Sequence, residues 1–131
     1  MKLTADTNVL VRAVVLDDPK QASIAAKVLS EASLIAVSLA SLCELVWVLR
    51  SVYAFTAVDA ASAIHSLVAA KNVMMDRLAA EAGLVVLEAG GDFADGVIAY
   101  EGKWLGGETL VSFDKKAVSL LAATGQSVRC L

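Results

Sequence analysis

Proline is nearly absent: Pro19 is the only one in 131 residues. No Gly/Ser-rich stretch is present either, so no stiff spacer or flexible linker divides the chain. At this length one domain spanning residues 1–131 is expected. Histidine occurs once, as His65, far along the chain from every acidic motif described below, so general-base chemistry by histidine is not expected. The two cysteines, Cys43 and Cys130, lack the spacing of metal or redox pairs. They are expected to stay reduced and to act as small apolar residues, which fits a cytoplasmic location. Positive charge is also scarce, with 11 Lys+Arg against 14 Asp+Glu and a net charge of −3. Binding of nucleic acid by bulk electrostatics is thereby excluded, and any such contact has to be local and assisted by cations. No membrane span is expected, because the most apolar window, residues 33–49, is short and carries Glu44. A charge at Lys2 precedes any apolar segment, so no signal peptide is expected.

What the chain has in excess is apolar residues, at 58%. Either many helices are buried, or an apolar face is kept for a partner. Short apolar runs alternate with helical stretches. Residues 3–5 read as a strand and 9–16 as a helix. Asp18-Pro19 is a strong helix start, cap followed by proline at the first helical position, and that helix is expected to reach about Glu31. Residues 34–37 read as a buried strand. Ser38 opens a helix to about Tyr53, with Leu39, Leu42, Cys43, Val46, Leu49 and Tyr53 at three- and four-residue steps. Thr56 caps the next helix, which is expected to break near Lys71-Asn72, continue to Ala82 and stop at Gly83. Residues 84–87 read as a strand, 92–105 as a helix ended by Gly106-Gly107, 109–113 as a strand, 114–123 as a helix and 127–131 as a last strand. This alternation predicts an α/β fold of three layers, with a mainly parallel four- to five-stranded sheet flanked by helices.

In parallel sheets the chemistry collects at the carboxyl ends of strands. Asp6 and Asp114 follow predicted strands, Glu44 lies early in the helix after residues 34–37, and Asp92 and Asp95 lie in the first turn of the helix after residues 84–87. Every predicted crossover on that edge thus delivers a carboxylate. Converging acids repel unless cations offset them, and hard oxygen donors suit Mg²⁺ or Mn²⁺. Each acid has a plainer explanation. Asp6, Asp92 and Asp114 fit as helix N-caps, and Glu44 completes a capping box with Ser41. Caps account for single acids better than for the whole set, because Ser or Thr would serve equally well.

Four blocks carry a resemblance: Ala5-Asp6-Thr7-Asn8-Val9-Leu10, Ser41-Leu42-Cys43-Glu44-Leu45, Asp92-Phe93-Ala94-Asp95-Gly96-Val97-Ile98-Ala99 and Thr109-Leu110-Val111-Ser112-Phe113-Asp114. In this order they resemble the blocks of a PIN domain, and more narrowly of the VapC toxins of bacterial VapBC toxin–antitoxin pairs. The resemblance implies a PIN-like three-layer fold and a Mg²⁺-dependent endoribonuclease, with Mn²⁺ as a substitute. It implies Asp6, Glu44, Asp95 and Asp114 as the catalytic, metal-binding quartet. Asp95 is preferred to Asp92 because the family pattern is an Asp, two residues, then Ile-Ala, as in Asp95-Gly96-Val97-Ile98-Ala99. Asp6 and Asp95 are expected as main ligands, Glu44 as ligand or water-positioning group, and Asp114 as a further or water-mediated ligand. Asp92, Asn8 and Ser112 are accessory candidates, with cap and turn chemistry as their plainer role.

Arg12, Lys103, Lys115 and Lys116 are the basic residues nearest these blocks and are candidates for RNA backbone contacts. The resemblance also implies a homodimer and a small VapB-like antitoxin bound across an apolar groove, for which Val46, Trp47, Leu49, Tyr53, Phe55 and Trp104 are candidates. Two other readings remain. One is an inactive PIN-like module that binds RNA or protein without cutting. The other is a Mg²⁺-dependent phosphatase or phosphoacceptor domain. The latter wants a second acid at position 8, where Asn8 stands.

Overall fold

The computed structural model describes residues 1–131 and divides into two compact units, Met1–Asp76 and Arg77–Leu131. The first holds β1 (Lys2–Thr4), α1 (Thr7–Val14), α2 (Pro19–Glu31), β2 (Leu34–Ala36), α3 (Leu39–Ser51), α4 (Ala57–Ala69) and β3 (Val73–Met74). Its strands lie in the order β1-β2-β3, all parallel, with Leu3 opposite Ile35 and Ile35 opposite Val73. Parallel neighbours need long crossovers, and here each crossover is a pair of helices, α1–α2 and α3–α4. Leu10 of α1, Ile35 of β2, Leu42, Leu45 and Leu49 of α3 and Ile64 of α4 are fully buried.

Local chemistry sets these boundaries as the sequence predicts. The Asp18 carboxylate accepts from the Gln21 amide at 3.0 Å, with Pro19 opening α2. Ser38 Oγ accepts from the Ser41 amide at 3.1 Å and Thr56 Oγ1 from the Asp59 amide at 3.1 Å. Asn72 donates from Nδ2 to the carbonyls of Leu29 and Ala32, at 2.9 and 3.1 Å, which fixes the approach to β3.

The second unit holds α5 (Arg77–Glu88), α6 (Phe93–Trp104), β4 (Leu110–Ser112), α7 (Lys115–Ala123) and β5 (Val128–Cys130). β4 and β5 pair in parallel, Val111 opposite Arg129, with α7 as the crossover. Val86, Ala99 and Leu121 form a buried cluster, against which Leu110, Leu120 and Val128 pack. Gly106 at φ +99° ends α6 and Gly125 at φ +85° ends α7, both in the left-handed region that glycine enters without strain.

Five strands, in parallel sheets of three and two, and seven helices give the α/β class expected, although the single four- to five-stranded sheet expected is here two sheets. Two elements differ from expectation. Residues 84–87 are helical, inside α5, and β3 interrupts what reads as a helix running on to Ala82. In α5 the buried positions are Ala79, Ala80, Gly83, Leu84, Val86 and Leu87, the recurrence of one helix face, while Val85 is exposed. Gly83 is not a stop. It is a contact: a Cβ there would lie 2.6 Å from the Phe93 ring, and one at Gly96 would lie 2.3 Å from the Ala82 carbonyl oxygen. The two glycines let α5 and α6 cross backbone to backbone. No helix is long and apolar enough to cross a membrane.

Candidate active site

In the first unit, Asp6 follows β1 at the N-cap position of α1, and its side chain makes no capping hydrogen bond. Capping therefore does not account for this carboxylate, which stands exposed. Glu44 lies in the second turn of α3 and is exposed too. The capping box with Ser41 is not formed, because Ser38 is the cap and Ser41 lies inside the helix. Instead a Glu44 carboxylate oxygen, Oε2, accepts a hydrogen bond from Thr7 Oγ1 at 2.7 Å. Thr7 is the first residue of α1, and it is buried at 7% exposure. The blocks around Asp6 and Glu44 are thus joined by a side-chain bond across 37 positions. Thr7 lies in a motif block, but this bond is not legible from the block itself. Burial of its hydroxyl depends on the packing of α1, which no local pattern reveals.

The second unit carries the other acids. Asp92 is the N-cap of α6 and its carboxylate accepts from the Ala94 amide at 3.4 Å. Asp95 sits one turn further on, half-buried. Both enter from the turn between α5 and α6, so the helix turn and not a strand end presents them. Asp114, after β4, is the N-cap of α7 and accepts from the Ala117 amide at 3.0 Å through one oxygen. Ser112 Oγ accepts from the Asp114 amide at 3.0 Å, the turn role foreseen as its plainer function. Burial pushes the Asp95 carboxyl above its ordinary range, and the neighbouring charges of Asp92 and then Asp114 push it further the same way. Three carboxylates therefore share one electrostatic neighbourhood.

The chain matches the PIN domain family over residues 4–121. It belongs to that family. A search of curated proteins finds no match to it. PIN domains are generally metal-dependent nucleases that bind RNA, and the family usually works with divalent cations. In this PIN domain no three His, Cys, Asp or Glu side chains stand close enough together, as placed, to hold one ion. The donor chemistry nevertheless fits a hard divalent cation. Every candidate ligand is a carboxylate, and neither thiolate nor imidazole is among them.

Other candidates divide by environment. Asn8 is exposed and lines an apolar groove between α1 and α2 with Val9, Ile24 and Val28. Arg12 is held by Asp17 at 3.1 Å, which commits part of its charge, while Lys103, Lys115 and Lys116 are exposed. Of the apolar candidates for a partner surface, Val46 and Leu49 are core residues, because the α3 stripe that carries them faces inward. Tyr53 and Phe55 are half-buried, and the Tyr53 hydroxyl donates to Asp17 at 3.2 Å. Trp47 and Trp104 are exposed, at 63% and 77%. Neither cysteine is in a disulfide.

Proposed function

We propose that this PIN domain is a Mg²⁺-dependent endoribonuclease of the VapC type, the toxin of a toxin–antitoxin pair. Asp6, Glu44, Asp95 and Asp114 are its working carboxylates, and residues 1–131 are one functional domain. The observation that carries the reading is the state of Asp95. Its carboxyl is partly desolvated between two other acids, every influence on it raises its pKa, and no basic side chain answers it. A bound cation would relieve that repulsion, and perturbed acids of this kind cluster at functional sites. The free Asp6 carboxylate and the hydroxyl-tethered Glu44 support the same reading, since neither is explained by capping. Support for joining the two sets is the family match, which runs through both units.

A divalent cation held by these carboxylates would polarise the phosphoryl group and activate a water. The protein's share is to hold and orient. Asp6 and Asp95 would be principal ligands. Glu44, with Oε2 engaged by Thr7, would offer Oε1 to the ion or to the attacking water. Asp114, with one oxygen on its own helix, would act through the other. Lys115 and Lys116, exposed at the start of α7, would meet an RNA phosphate. Asp92 and Asn8 would be accessory at most.

The test is cleavage of a panel of transcribed hairpin RNAs with Mg²⁺, with Mn²⁺ and with chelator, beside Asp6→Asn and Asp95→Asn. Cleavage that needs the cation and is lost in both variants is expected. Cleavage untouched by chelator and by both substitutions would sink the reading. The partner claims are separately testable. A homodimer is expected by light scattering, and a small antitoxin that suppresses cleavage is expected from the neighbouring reading frame. The exposed Trp47 and Trp104 are the anchors to substitute first.

A further inference from the structure

We propose that Thr7 is a positioning residue for the carboxylate site, its buried hydroxyl restraining the Glu44 side chain through Oε2 and leaving Oε1 for a cation. The inference rests on the nuclease reading and deepens it. Glu44 is exposed on α3, where an unrestrained glutamate samples many rotamers. Thr7 removes that freedom by donating to Oε2 at 2.7 Å. The donor is itself well fixed. It is β-branched, opens α1 and is 7% exposed, so packing limits its χ1 and bulk water does not compete for its proton. Its chemistry also suits the task. A lysine or arginine in this place would orient Glu44 and neutralise it, spoiling it for a cation. A hydroxyl orients the carboxylate and leaves its charge intact, with Oε1 unengaged. Because Thr7 adjoins Asp6 in sequence, one short segment after β1 carries one carboxylate and fixes another that is 37 positions away from Thr7.

Three variants test this, Thr7→Val, Thr7→Ser and Thr7→Val on a Glu44→Gln background, each read by titration with Mn²⁺ alone and by steady-state RNA cleavage. Thr7→Val keeps the shape and deletes the donor. It is expected to weaken Mn²⁺ binding and kcat by about 10–100-fold, the usual cost of losing a group that orients a ligand, with KM for RNA little changed. Thr7→Ser is expected to stay within about threefold of wild type in both, since the donor is retained. On the Glu44→Gln background, Thr7→Val is expected to add nothing. Wild-type behaviour of Thr7→Val, an equal loss in Thr7→Ser, or a full further loss on the Glu44→Gln background would each overturn the proposal. If Thr7→Val does not fold by near-ultraviolet circular dichroism, Thr7→Ala replaces it with the same expected losses and the same overturning result. A wild-type protein that neither binds Mn²⁺ nor cuts RNA overturns the nuclease reading and this one together. A wild type that does both, beside an unaffected Thr7→Val, overturns this one alone.

Discussion

Asp95 is more stable protonated than an ordinary aspartate, and that has a measurable sign. A carboxyl whose pKa is raised by folding binds its proton more tightly in the native than in the unfolded chain. Stability therefore falls as pH rises from the unfolded value through the native one, and the full penalty is present at neutral pH. Asp95→Asn is expected to raise the melting temperature at pH 7–8 by roughly 1–4 °C, with the gain vanishing below about pH 4, where both carboxyl states are protonated. Melting curves across pH check this, and a gain independent of pH would refute the electrostatic origin. The same variant should lose RNA cleavage by more than about 100-fold, beyond the cost of removing an outer-shell group. Stability and activity are thus expected to move in opposite directions at one residue. The acids were legible in the sequence as residue types at helix starts. Which of them cap was not. Asp114 and Asp92 do, Asp6 does not, and Glu44 answers Thr7 instead of its own helix. Those distinctions depend on rotamers and on long-range packing, which local spacing does not encode.

Among the elements, the crossing of α5 and α6 is the most constrained. Gly96→Ala would place a methyl 2.3 Å from the Ala82 carbonyl oxygen, a backbone atom that does not yield. Overpacking of this kind costs about 1–3 kcal/mol, less a helix-propensity gain of about 1 kcal/mol. A net loss of up to about 2 kcal/mol is expected by urea unfolding. Gly102, on the same helix, is the control. A Cβ there meets nothing within 4 Å, so Gly102→Ala should stabilise by about 0.5–1 kcal/mol. Most elements were legible because their signals are local: Asp18-Pro19, Ser38, Thr56 and the glycines that end α6 and α7 all act within a few residues. The region from β3 through α5 was not. β3 is two residues long, too short for a period, and is fixed by Asn72 reaching carbonyls forty positions back or more. Gly83 reads as a helix stop in isolation, and only the Phe93 ring against it explains a glycine in mid-helix.

At the scale of the whole chain, cation binding and unfolding should be linked. If the proposed carboxylates share one ion, Mg²⁺ raises the melting temperature in proportion to RT ln(1 + [Mg²⁺]/Kd), worth about 2.7 kcal/mol at one hundred times Kd. The expected shift is several degrees, reversed by chelator and absent in Asp6→Asn. One cooperative transition is expected for residues 1–131, and two separable transitions would count against a single functional domain. The apolar excess was read as buried helices or a partner face. Val46 and Leu49 went to the core, whereas Trp47 and Trp104 stayed outside. The caps at Asp92 and Asp114 bear on the history of such a molecule. Asparagine caps a helix about as well as aspartate, and a single base change in the codon makes the exchange. At these positions the negative charge can be lost with α6 and α7 still properly begun. If Asp114 works as proposed, a lineage under pressure to disarm this protein has an easy route there: a folded, silent descendant that still occupies whatever the ancestor occupied.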